Sequence, residues 1–232
     1  WVHLAITRDS TGRKLFVNGK LYSYTTIAGG PIPTTNTAPL RLMADSRLLQ
    51  YFVNGIIDEV RIYNRALSAE EIWELYISKV HKFNPIRFLH LKTFPGCVLN
   101  LNFEEGKGTK VYDKSGFKNH GTIYGATWVK GKLGNALSFD GIDDYVNCGA
   151  GATLKLTTSF TIAAWVKIPV GAAGTKGIVQ KNPSPTDYDY MLYLSSAGYP
   201  AVFFKNPAGT AFCAIYSKDV RDNKWHFWVG TF

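Results

Sequence analysis

Short apolar runs, each closed by glycine, proline or asparagine, recur along the whole of this 232-residue chain. A helix repeats its apolar positions every three or four residues over a longer stretch, whereas short runs that alternate suit strands with one buried face. Phe160, Ile162, Ala164, Val166 and Ile168 show the alternation best. Lys14–Val17 and Lys20–Tyr24 flank Asn18-Gly19. That pair favours a two-residue hairpin turn in which both positions take positive φ. Further strands are expected at Trp1–Thr7, Leu40–Met43, Gly55–Tyr63, Val98–Phe103, Ala136–Phe139, Tyr145–Asn147, Gly177–Gln180, Tyr190–Ser195, Ala201–Lys205, Phe212–Tyr216 and Trp225–Phe232. Gly29–Pro39, Ala44–Arg47 and Gly116–Thr122 read as loops. One helix stands apart, Ser68–Lys79. Ser68 and Glu71 form a capping box, and Ile72, Leu75, Tyr76 and Lys79 follow at helical spacing. The pattern predicts an all-β fold, a two-sheet antiparallel β-sandwich with one short helix.

Composition narrows the function. With 46% hydrophobic and 14% aromatic residues the chain can build a core, which excludes disorder. Its +9 charge comes from scattered Lys and Arg and accompanies no nucleic-acid reader motif, so no nucleic-acid partner is expected. No apolar stretch is long enough to predict a membrane span. Cys97, Cys148 and Cys213 are too few for a disulfide scaffold; whether Cys97 and Cys148 meet is open. Asn182-Pro-Ser184 is excluded as a glycosylation acceptor by its proline. The chain opens on Trp1 inside an apolar run, without an initiator Met or a leader pattern, and reads as a fragment of a longer protein.

The ends echo one another. Trp225-His-Phe-Trp-Val-Gly-Thr-Phe232 aligns with Trp1-Val-His-Leu-Ala-Ile-Thr-Arg8 at a fixed offset, Trp on Trp and Thr231 on Thr7. Such an echo suggests one period of a tandem array.

Asn54-Gly-Ile-Ile-Asp-Glu-Val-Arg-Ile-Tyr-Asn-Arg-Ala-Leu-Ser-Ala-Glu-Glu-Ile72 resembles the closing motif of laminin-G-like jelly-roll domains of the concanavalin-A-like superfamily. Leu99–Gly106, Tyr112–Gly116, Asn119–Thr122, Leu137–Val146 and Phe160–Val166 resemble the opening half. The resemblance therefore implies a permuted order. Residues 1–80 correspond to the C-terminal half of the jelly roll, 81–96 to a basic, proline-containing linker and 97–232 to the N-terminal half, the two halves forming one sandwich. They pair either within one chain or with halves of neighbouring chains. One Trp strand should hold the family's slot, and the other should be redundant, frayed or paired with a neighbour.

Familiar catalytic motifs are absent from the sequence. The sequence contains no Gly-x-Ser-x-Gly, no His-Glu-x-x-His, no phosphate loop and no Cys-x-x-Cys. The Glu-x-Asp-x-x-Glu pattern of superfamily glycosidases does not occur either, so no enzyme is expected. Asp58, Glu59, Asp113, Asp140, Asp143 and Asp144, with Asn119, are the polar residues that stand out. Asp and Asn oxygens with turn carbonyls suit Ca²⁺, and the resemblance favours such a site at Asp58, Asp113, Asn119, Asp140 and Asp143. The same groups can instead cap turns. Asp58 falls on the alternation of Val60 and Ile62, and a carboxylate on a buried face needs a partner. Trp128, Tyr188, Tyr190 and Tyr199 lie at or near loops, where rings can stack on the apolar face of a sugar. The resemblance implies a non-catalytic extracellular or cell- or virion-surface module that binds carbohydrate or glycoprotein, with Ca²⁺ as a candidate cofactor. The repeat offers an alternative, a structural component of a surface layer, filament or virion that contacts neighbouring repeats or subunits.

Overall fold

The structure is a computed structural model that describes residues 3–9, 12–17, 20–25, 38–44, 52–77, 95–156, 159–181, 190–205 and 211–231. In chain order the strands are β1 (His3–Asp9), β2 (Gly12–Val17), β3 (Lys20–Thr25), β4 (Leu40–Leu42) and β5 (Asn54–Tyr63). After helix α1 (Ala69–Ile77) come β6 (Cys97–Leu101), β7 (Lys110–Val111), β8 (Gly121–Tyr124), β9 (Thr127–Lys130), β10 (Asn135–Asp140) and β11 (Tyr145–Asn147). A short 3-10 turn, Ala152–Leu154, precedes β12 (Thr161–Lys167), β13 (Lys176–Lys181), β14 (Tyr190–Leu194), β15 (Pro200–Lys205), β16 (Ala211–Ile215) and β17 (Trp225–Thr231). The Asn18-Gly19 turn and most of the expected 81–96 linker lie outside the described residues.

Two sheets form. Sheet A runs β3-β2-β1-β17-β12-β5-β10-β9, with β6 also pairing with β5; sheet B runs β16-β15-β14-β13-β4-β11-β8-β7. Strands from the two ends of the chain interleave. β5 lies between β12 and β10, and β4 between β13 and β11. The alternation explains the packing. Ile162, Ala164 and Val166 of β12 join Trp228 of neighbouring β17 and Ile178, Leu192 and Val202 of sheet B in the core between the sheets. The opposite face of β12 gives Ala163 and Trp165 to a second core. There Trp165 meets Phe227 at 5.1 Å and stacks on Tyr76 of α1 at 5.9 Å and 25°. Ile72 and Leu75 place the apolar stripe of the helix on the same cluster.

The helix start follows its sequence. Glu71 N–H donates to Ser68 Oγ (3.2 Å), and Ser68 N–H donates to Glu71 Oε2 (2.9 Å). Arg65 adds a two-pronged contact to Glu71 at 2.6 and 2.8 Å. Cys97, Cys148 and Cys213 are all free thiols. Burial pushes the Cys97 thiol up to about 11 and the Cys148 thiol up to about 12, which leaves both inert near neutral pH.

β1 and β17, the strands of the terminal echo, are in sheet A, side by side. β17 pairs antiparallel with β12, from Thr161↔Thr231 to Lys167↔Trp225. β1 lies on its other edge and runs parallel to it, in the register His3↔Phe227, Leu4↔Trp228, Ala5↔Val229 and Ile6↔Gly230.

Candidate binding face and acidic turn

The short strands at one edge of sheet B set up an aromatic pair. Val146 of β11 and Ile123 of β8 point into the core, so their neighbours Tyr145 and Tyr124 point outward. The register pairs Tyr145 with Tyr124. Their rings stack 4.6 Å apart at 10°, and Tyr124 is 44% exposed. β4 extends the face. Leu40 and Leu42 are in the core, so Arg41 points outward, with its guanidinium 5.4 Å from the Tyr145 ring. Phe52 stands 6.4 Å from the same ring. A register row Thr122, Asn147, Arg41 supplies polar groups beside the rings.

The acidic turn adjoins this pair directly, because Asp144 precedes Tyr145 and Gly125 follows Tyr124. Gly141, at φ +81°, reverses the chain between β10 and β11. Asp140 accepts the amides of Ile142 (2.7 Å) and Asp143 (3.4 Å). Asp144 accepts the Asp140 amide (2.9 Å). Asp140 and Asp143 are exposed and Asp144 is buried, and one oxygen from each lies within 4.8 Å of the others. Burial holds the Asp144 carboxyl above its ordinary value; the Asp140 amide opposes this, and the charges of Asp140 and Asp143 reinforce it. Among the described residues no Lys or Arg forms an ion pair with any of the three. A cluster of hard oxygens without a cationic side chain fits a hard divalent cation, which takes carboxylates, turn carbonyls and water.

The other acidic positions lie elsewhere, each with its own partners. Asp113 accepts the amides of Asn100, Ser115 and Asn119 and the Ser115 hydroxyl, at 2.7 to 3.0 Å. Asn119 donates to the Val98 carbonyl and Thr153 Oγ1. The two residues tie the 113–119 loop to β6 and the 3-10 turn. Asp58 is fully buried and accepts the Leu133 amide at 3.0 Å. It does not share a face with Val60 and Ile62. Register shifts in the β12 pairing, where Ala163 opposes Arg61 and Trp165 opposes Asp58, and Glu59 takes φ +54°. This bulge reverses the alternation, so Asp58 shares the Trp165 face under the 131–134 turn. Glu59, 4% exposed, is held by Arg61 at 3.0 Å.

The aromatic candidates are also dispersed. Tyr190 is fully buried and donates its hydroxyl to the Leu154 carbonyl (2.9 Å), so it offers no ring to solvent. Trp128 is half-buried, packs on the core and donates Nε1–H to the Gly108 carbonyl (2.8 Å). Tyr199 is half-buried, and Tyr188 lies outside the described residues. Sequence reasoning missed Tyr124, Tyr145 and Arg41. β8 starts within the segment read as the Gly116–Thr122 loop, and only β8 brings Tyr124 to Tyr145.

A family model of laminin G domains, described as the concanavalin A-like lectin/glucanases superfamily, matches residues 1–73 and 140–232. No curated protein and no solved structure matches the chain. At the level of this superfamily the match supports a carbohydrate-binding or adhesion-type module. Laminin G-like domains are generally non-catalytic and typically extracellular, although the superfamily includes glycosidases. No described helix is long and apolar enough to cross a membrane. The two-sheet jelly-roll architecture and the family match agree, and the chain belongs to the laminin G-like branch of the concanavalin A-like lectin/glucanases superfamily.

Proposed function

We propose that the chain is a non-catalytic extracellular module that binds carbohydrate, alone or on a glycoprotein, at the Tyr124–Tyr145 edge of sheet B. The observation that carries this reading is the parallel stack of Tyr124 on Tyr145, with Tyr124 open to solvent. A pyranose offers an apolar C–H face that packs on such a ring. Arg41, Thr122 and Asn147 supply the hydrogen-bonding groups that would fix its orientation. A hard cation such as Ca²⁺ is part of the reading. Asp140, Asp143 and Asp144 would hold it, and it would neutralise the turn and offer coordination to sugar hydroxyls. Asp58, Asp113 and Asn119 are less suited, since they lie outside this carboxylate cluster and each ties separate segments of the fold together. Affinity electrophoresis through a panel of soluble polysaccharides, in calcium and in EDTA, tests the proposal. Retardation by at least one glycan, weakened by EDTA and lost in Tyr124→Ala, is expected. No retardation by any glycan refutes the reading. Hydrolysis of a glycan, abolished by Asp140→Asn, would make the chain an enzyme instead.

A second reading, a structural component built of repeats, is favoured by the two equivalent strands β1 and β17 lying in one sheet. Assembly into fibres with a silent glycan panel would select it.

A further inference from the structure

The parallel seam between β1 and β17 carries an inference about self-association that is independent of the glycan reading. Four residues of β1 pair with the β17 residues to which the terminal echo aligns them. His3↔Phe227, Leu4↔Trp228, Ala5↔Val229 and Ile6↔Gly230 keep the offset at which Trp1 matches Trp225. The two strands are thus two versions of one element, and only one can lie against β12. β17 holds that place for a steric reason. Phe227, Trp228 and Val229 are all buried. At Gly230 a Cβ would stand 2.7 Å from Val202 Cγ2 and 2.9 Å from Val202 Cβ. The aligned residue in β1 is Ile6, and any isoleucine put in the place of Gly230 would meet Val202 across the core. β1 is therefore a surplus copy, kept off β12 and docked on the outer edge of β17. Among the described strands, β2 and β3 join sheet A only through β1.

We infer that the β17 edge is a docking surface for β1 of a second copy of this chain, so that the β1–β3 segment exchanges between copies and joins them head to tail. The ladder formed is the same whichever copy supplies β1, so exchange breaks one parallel seam and makes another. Identical contacts leave chain concentration to decide between the closed and the exchanged form. Each copy carries one donor, β1–β3, and one acceptor, the β17 edge.

Cysteine trapping tests this in the full chain, with exposed Cys213 replaced by Ser. Ala5 and Val229 are direct partners in the register, and neighbouring strands bring Cα atoms within disulfide reach. The double variant A5C/V229C should oxidise to a cross-linked monomer. A5C and V229C chains, unfolded together in urea, refolded at high concentration and oxidised, should give a covalent dimer containing one of each. Neither chain alone should give it. A cross-linked monomer without the mixed dimer overturns exchange. Absence of both cross-links overturns the seam and the proposal with it. A readout without cysteines uses light and ¹⁵N-labelled wild-type chains refolded together. Native mass spectrometry should then find mixed-mass dimers that increase with concentration, and monomers alone at every concentration would overturn the proposal.

Discussion

Gly125 joins the aromatic pair to the acidic turn, and Gly125→Ala probes that junction. A Cβ at this position would lie 1.8 Å from Asp144 Oδ1 and 3.0 Å from Asp144 Cγ. The carboxylate would have to retreat by more than an ångström. That retreat breaks the hydrogen bond from the Asp140 amide to Asp144 (2.9 Å). Gly125 also holds φ +74°. An L-residue there costs about 1–2 kcal/mol, and loss of a hydrogen bond to a charged group costs about 1.5–3 kcal/mol. Together the variant should lose about 2.5–5 kcal/mol, or roughly 5–20 °C in Tm for a domain of this size. Gly116→Ala is the control. Gly116 sits at φ +96° with nothing within 4 Å of its built Cβ, so it carries the backbone cost alone, about 1–2 kcal/mol. Urea unfolding followed by circular dichroism gives both values. If Gly125→Ala costs no more than Gly116→Ala, Asp144 does not pack on Gly125, and the junction is wrong.

Three further outcomes follow from the same contacts. Trp165 is 2% exposed between Phe227, Tyr76 and Lys132, so Trp165→Ala should cost about 3–5 kcal/mol in urea unfolding. Glu71→Ala removes half the capping box and the partner of Arg65. Because that ion pair is partly exposed, the loss should be about 1–2 kcal/mol and should shrink in high salt. Asp144 gives a pH signature. Burial raises its folded carboxyl above the unfolded value, so its stabilising contribution is full below the unfolded value and is lost as pH rises through the folded one. In EDTA, Asp144→Asn should therefore shift the urea midpoint upward at neutral pH and match the wild type in acid, where Asp144 is neutral. Calcium should stabilise the wild type more than the variant, by about 2.7 kcal/mol at a hundredfold excess over Kd if one site binds only the folded chain.

The sequence carried the strands and the helix because those signals are local. Phe160 to Ile168 alternates, and β12 spans Thr161–Lys167 as that alternation requires. Tyr145–Asn147 has the bounds of β11, and the Ser68–Glu71 box forms as read. β7, β8 and β9 were not legible. They are two to four residues long and place no two apolar residues at alternate positions as Leu40 and Leu42 do; Tyr145–Asn147, equally short, was marked by the turn before it. The face of Asp58 was misread because a bulge depends on the partner strand, which no single-strand pattern encodes. The acidic residues of the 140–144 turn were legible, since they lie a few residues apart. The Tyr124–Tyr145 stack was not, because strand pairing across some twenty residues creates it. The echo of Trp1 in Trp225 was readable; that its two copies would lie in parallel register was not.

The proposed function stands or falls with the ring pair and the acidic turn acting as one site. Backbone amide chemical shifts of ¹⁵N-labelled chain, recorded first with calcium and then with a glycan retained in the electrophoresis panel, test it most directly. Calcium should move the amides of Asp140 to Tyr145 and of Tyr124 and Gly125 in a saturable way. The glycan should then move Thr122, Tyr124, Tyr145 and Arg41. Calcium shifts centred on Asp58 or Asp113, or glycan shifts on sheet A with the Tyr124 edge unmoved, would contradict it.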